Sequence, residues 1–132
     1  MQYLIDTHVS LWAITDYDKL SVKVEKILED KSIKIFVSPV SFLEIAIKLH
    51  AHKIDKFNST LSEFIDSVYS AGFEILPFKN EHAVAYSAFS FFPEHRDPFD
   101  RYFVSAAYYE KMDFITIDKK FQLYTDKVNI VW

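Results

Sequence analysis

The sequence predicts an α/β fold, a three-layer sandwich with a mostly parallel sheet between helices. Short apolar, β-branched runs alternate with helix-patterned stretches from one end of the chain to the other, the order that parallel strands with helical crossovers produce. At 132 residues, half of them hydrophobic and 17% aromatic, the chain suits one domain with a substantial core. With one Gly and four Pro there is no flexible linker, repeat or low-complexity segment to divide residues 1–132.

"QYLI" (Gln2–Ile5) is a short apolar run ending at Asp6 and reads as a buried strand. "HVSLWAI" follows as a short helix. In "SVKVEKILED", Ser21 is a possible cap, and Val22, Ile27 and Leu28 form the expected buried side. "IKIFVS" (Ile33–Ser38) is the second strand, with Pro39 at the switch into a helix. That helix, "VSFLEIAIKLHAHKI", puts Phe42, Ile45, Ala46 and Leu49 on one face. Thr60 and Glu63 make a capping box for the next helix, and Gly72 stands where a helix C′ residue belongs. "FEILPF" is the third strand, and another helix begins at Asn80. In "HRDPFDRYFVSAA", Asp97, Pro98 and Asp100 match a helix start: Asp caps, Pro suits the first turn, and an acid at the third position can reach back to the cap. This helix should run to about Glu110. "FITI" (Phe114–Ile117) is the fourth strand, ending at Asp118. A helical piece, "KKFQLY", and a last strand, "VNIVW", complete the chain.

Composition excludes several classes of function. There are no cysteines, so disulfides, thiolate metal sites and Cys nucleophiles are out, and a cytoplasmic location is expected. No run of about 18 apolar residues points to a membrane span, and "MQYLIDTHVS" lacks the basic and apolar regions of a signal peptide. The net charge of −4 argues against a broadly basic nucleic-acid surface, but not against a nuclease whose acids recruit metal.

The acids carry the functional signal. Ligands of open parallel sheets bind at the carboxyl ends of the strands. Asp6 follows the first strand and Asp118 the fourth; Asp97 and Asp100 open a helix at that edge. Glu44 interrupts the apolar run "FLEIAI" near the same rim. Taken singly, Asp6 reads as an N-cap, Asp118 as a turn residue and Glu44 as an outward helix position. Together they point to one shared cause. Clustered carboxylates repel, and a divalent cation removes that penalty. Hard oxygen donors without Cys favour Mg²⁺ or Mn²⁺.

Four segments, "LIDTHVSLW", "VSFLEIAIK", "HRDPFDRYFVSAA" and "FITIDKKF", together resemble a PIN domain, above all the toxin ribonucleases of VapBC type II toxin–antitoxin pairs. The resemblance spans essentially the whole chain, in order. It implies a parallel sheet flanked by helices and RNA cleavage with Mg²⁺ or Mn²⁺ held by acids. By position the family's acids match Asp6, Glu44, Asp100 and Asp118, with Asp97 either a further acid or only the cap. It also implies a homodimer and a VapB-like antitoxin whose tail covers the site. The acidic pocket suits a basic residue of such a tail. Alternatives to a toxin are a stand-alone PIN nuclease and a non-enzymatic acidic binding module.

Weaker candidates surround the quartet. Arg101 either contacts the scissile phosphate or pairs with an acid. Thr116 either supports a metal ligand or is a plain strand residue. His8 reads as a polar residue of a first helical turn, and His50 and His52 as a solvated helix end. Trp12, Phe42 and Phe103 read as core. The Phe89–Phe92 run is too apolar for a free loop, so it packs on the core or, with Tyr108 and Tyr109, meets a partner. A haloacid-dehalogenase-type phosphatase would need an Asp where His8 stands, and a receiver domain would need one where Ser38 stands.

Overall fold

The computed structural model describes residues 1–54 and 57–132. Five parallel strands form one sheet in the order β3-β2-β1-β4-β5. They are β1 (Gln2–Ile5), β2 (Lys34–Val37), β3 (Glu74–Ile75), β4 (Asp113–Ile115) and β5 (Ile130–Val131). The helices are α1 (Thr7–Thr15), α2 (Val22–Glu29), α3 (Pro39–His50), α4 (Leu61–Ser70), α5 (Asn80–Ala88) and α6 (Pro98–Glu110), with 3₁₀ turns at Tyr17–Lys19 and Lys119–Tyr124.

Period-two alternation splits the strands between two cores. Tyr3, Ile5, Ile35, Val37 and Ile115 join one apolar cluster with Val9, Val24, Ile45, Phe64 and Val68, residues of α1 to α4. Leu4 and Phe114 point the other way, into a cluster with Phe103, Val104 and Ala107 of α6 and with Phe121 and Tyr124. A strand covered on both faces needs mainly apolar residues at consecutive positions, which is why "YLI" and "FI" carry only aromatic and aliphatic side chains. The predicted core residues fall accordingly: Phe103 is buried, Trp12 packs edge-on against Trp132, and Phe42 packs edge-on against Phe64.

Several details differ from the sequence reading. Val22 is 66% exposed and Val24 fully buried, so α2 turns a different residue inward. Val22 directly follows the cap Ser21, whose Oγ accepts from Val24 N, and this first-turn position faces outward. Helix α3 stops at His50, short of the predicted Ile54. Its end is a Schellman closure: Lys53 N donates to Lys48 O, His52 N donates to Leu49 O, and His52 takes φ 54. Strands β3, β4 and β5 are two or three residues long, because the ladder ends where the chain turns into the rim of the sheet. The capping box of Thr60 and Glu63 and the positive φ of Gly72 stand as expected.

The Phe89–Phe92 segment mostly packs on the second core. Phe89 lies against Tyr108 and Tyr124, and Phe91 against Tyr86. Phe92, Tyr108 and Tyr109 are the exposed members of the group. Among the described residues, no helix is long and apolar enough to cross a membrane.

Candidate active site

The chain lays β1, β2 and β3 outward on one side, then returns to place β4 and β5 on the other. The order therefore reverses between β1 and β4, and the crevice outside their carboxyl ends is where open α/β sheets take ligands. Asp6 leaves β1 and Thr116 leaves β4 at that point. The neighbouring helices and loops bring Glu44, Asp97, Asp100 and Asp118 to one small cavity of about 140 Å³, together with Asp6, Thr7 and His8. Larger hollows exist elsewhere, lined by no more than two acids each.

Each acid is anchored by a local bond. Asp6, 6% exposed, caps α1 by accepting from Val9 N at 2.8 Å, and its other oxygen accepts from the Thr116 hydroxyl. Glu44 sits on α3, accepts from Thr7 Oγ1 at 2.5 Å, and pairs with Lys48 one turn on at 3.4 Å. Asp118 accepts from Lys120 N at 2.9 Å and caps the 3₁₀ turn that follows. Its own amide donates to Thr116 Oγ1 at 3.0 Å. Asp97 is the N-cap of α6, accepting from Phe99 N and Asp100 N.

Asp100 departs from the capping-box expectation. Its carboxylate does not return to the Asp97 amide but meets His95 Nε2 at 3.1 Å. His95 is 1% exposed and is not among the residues the sequence points to. The available signal was a His five residues before an acid, next to a helix start; only the fold brings its ring under the helix. Arg101 corrects another expectation. Among the described residues it pairs with no acid, and it does not line the cavity. Its Nε donates to His95 O at 2.6 Å, its second amino group donates to Phe92 O at 3.3 Å, and the guanidinium lies 4.8 Å from the Phe91 ring centre. Its fork is spent on closing the loop before α6. His8 lies on the cavity rim, and its ring is 5.7 Å from that of Trp12. His50 and His52 are exposed, away from the acids.

The electrostatics record the crowding. Burial pushes the Asp6 carboxyl up to about 7; the bonds from Thr116 and Val9 oppose that push, and the charges of Asp100 and Glu44 add to it. Burial also raises Asp100, against the bond from His95 and with the help of Asp97. Burial lowers His8, and so does Lys48. The donor set fits a hard divalent cation: carboxylate oxygens only, mutually repelling, in a site that pushes Asp6 towards neutrality. Among the described residues, no three His, Cys, Asp or Glu side chains stand close enough together to hold a metal ion as they lie. Asp100 Oδ1 and Asp118 Oδ2 carry no protein hydrogen bond among those residues.

A parallel sheet with acids at its switch point defines an α/β protein with an acidic cleft. The PIN domain family model matches residues 3–127, and the chain belongs to that family, whose members are generally nucleases that use divalent metal ions. Solved structures agree on the fold. VapBC2 from Rickettsia felis bound to a promoter DNA fragment is 16% identical, with a TM-score of 0.65 over 99% of this chain and 98% of that one. VapBC-1 from nontypeable Haemophilus influenzae is 13% identical, with a TM-score of 0.65 over 99% and 97%. FitAB bound to a DNA fragment is 18% identical, with a TM-score of 0.63 over 98% and 93%. No curated protein matches the chain.

Proposed function

We propose that this chain is a metal-dependent endoribonuclease and the toxin of a type II toxin–antitoxin pair. The observation that carries the nuclease reading is the convergence of Asp6, Glu44, Asp100 and Asp118 on one cavity at the sheet's switch point. These four would hold Mg²⁺ or Mn²⁺, with Asp97 at the edge. A bound divalent ion supplies charge neutralisation and a more acidic water for phosphodiester hydrolysis. The protein's part is orientation. Thr116 fixes Asp6, Thr7 fixes Glu44 and the Lys120 amide fixes Asp118. Glu44 or Asp118 would take the proton of the attacking water; Asp118 Oδ2 has no protein partner among the described residues.

The toxin reading rests on the structural neighbours, VapBC2, VapBC-1 and FitAB, which are paired complexes by name. An antitoxin tail would present an Arg or Lys to the acidic cavity. A homodimer is part of the same reading, and the exposed Phe92, Tyr108 and Tyr109 offer it aromatic surface.

The test is cleavage of RNA by purified protein with Mg²⁺ or Mn²⁺, arrested by EDTA. Undiminished cleavage in chelator overturns the metal site. Light scattering at micromolar concentration should give a dimer mass. Co-expression with the small protein encoded beside it should suppress cleavage through that partner's basic tail residues.

A further inference from the structure

An unbroken polar chain leads from the loop before α6 to Asp100. The Phe92 amide donates to the Tyr124 hydroxyl at 3.3 Å. The hydroxyl lies 3.1 Å from His95 Nδ1, and His95 Nε2 lies 3.1 Å from Asp100 Oδ2. With Asp100 as a carboxylate, which only accepts, Nε2–H donates to it. The Tyr124 hydroxyl, which can donate or accept, partners the opposite ring nitrogen, Nδ1.

The ring has no freedom to do otherwise. His95 and Tyr124 are each 1% exposed. The Phe121 ring stands edge-on to the imidazole at 5.0 Å, and Arg101 Nε grips the His95 carbonyl. Asp100 also gives up an ordinary bond to make this contact. As the third residue of a helix capped by Asp97, it has the cap's own amide within its usual reach, yet it turns to His95.

We propose that His95 is the positioning residue for Asp100: its Nε2–H holds one carboxylate oxygen so that the other faces the cavity. Tyr124 stands behind it and holds the opposite ring nitrogen, Nδ1. This rests on the reading of Asp100 as a cation-holding acid. Groups that orient a ligating carboxylate from behind typically change metal affinity by about 10–100-fold when removed.

The test is Mn²⁺ binding to the metal-free full chain, by calorimetry or by the resonance signal of free Mn²⁺, with urea unfolding alongside. His95→Gln keeps an N–H donor and should stay within about threefold of the wild type. His95→Phe fills the space without a donor and should bind Mn²⁺ about 10–100-fold more weakly. RNA cleavage should fall in kcat with KM for RNA unchanged. Should His95→Phe fail to fold, Tyr124→Phe leaves the imidazole in place but removes the bond that holds its Nδ1, and should weaken Mn²⁺ binding about threefold or more. Asp100→Asn separates the two readings. If it loses Mn²⁺ while His95→Phe and Tyr124→Phe bind like the wild type, the positioning role is overturned and the metal site stands. Equal losses in His95→Gln and His95→Phe also overturn it, because the donor would then be irrelevant. If Asp100→Asn binds like the wild type, both readings fall.

Discussion

The Thr116 hydroxyl joins two acids from opposite sides of the sheet's switch point: it donates to Asp6 Oδ2 and accepts from the Asp118 amide. One small side chain thus sets the orientation of the acid after β1 and the path of the backbone after β4. Thr116→Val keeps the shape and removes both bonds. It should cost about 1–3 kcal/mol in urea unfolding, because a buried carboxylate oxygen loses its donor, and lower cleavage about 10–100-fold. Thr116→Ser should behave nearly as the wild type. A fully active Thr116→Val would show that Asp6 needs no such partner.

Metal-free stability should fall as pH rises from about 4 to about 7. The folded protein holds Asp6 near 7, above its ordinary 3.8, so in that window the native state binds more protons than the unfolded chain. Stability decreases with pH wherever that holds. The full penalty, up to about 4 kcal/mol for three pH units, is present above pH 7 and absent below about 4. Asp6→Asn should flatten the profile and be the more stable protein at pH 8. Mn²⁺ should stabilise the wild type more at pH 8 than at pH 5. Parallel profiles for the two proteins would remove Asp6 as the cause.

Asp97 and Asp100 should separate cleanly. Asn caps helices as well as Asp does, so Asp97→Asn should unfold within about 0.5 kcal/mol of the wild type, and Asp97→Ala about 1 kcal/mol earlier. Both should still cleave RNA, whereas Asp100→Asn should fold and not cleave. Equal loss of cleavage in Asp97→Asn and Asp100→Asn would make Asp97 a ligand as well.

Arg101 should prove structural. Arg101→Lys loses the two-pronged grip on Phe92 O and His95 O and the contact with Phe91, and should destabilise by about 1–2 kcal/mol. The salt dependence of RNA binding should keep its slope. A slope reduced by about one would place the guanidinium on a phosphate instead.

Helix α6 ends on Lys111 at φ 57, with Met112 N donating to Ala107 O. A side chain pays about 1–2 kcal/mol in this left-handed conformation, and Gly does not. After the greater entropy of an unfolded Gly is set against it, Lys111→Gly should gain about 0.5–1 kcal/mol, measured as a raised urea midpoint without loss of cleavage. A lowered midpoint would mean the Lys111 side chain stabilises the helix end by contacts that outweigh the strain.

The sequence by itself determined the elements and their order, the capping box of Thr60 and Glu63, the Gly72 closure and the acids on the rim. These follow from local rules, in which a residue's type and its neighbours within one turn or one strand suffice. It could not show that His52 and Lys111 close their helices as Gly72 does, because residues with side chains reveal a left-handed position only when the surrounding packing enforces it. Nor could it say which way Val22 and Val24 face, since that depends on how α2 lies on the sheet. The partners of the acids beyond their own turns belong to the tertiary structure alone. Thr116 is 110 residues from Asp6 and Thr7 is 37 from Glu44. Tyr124 reaches His95 across 29 residues. Even the short step from His95 to Asp100 is decided from outside, because Tyr124, Phe121 and Arg101 fix the ring. A hydrogen bond depends on distance and angle, and only the sheet order β3-β2-β1-β4-β5, which puts the ends of β1 and β4 side by side, brings these groups within reach.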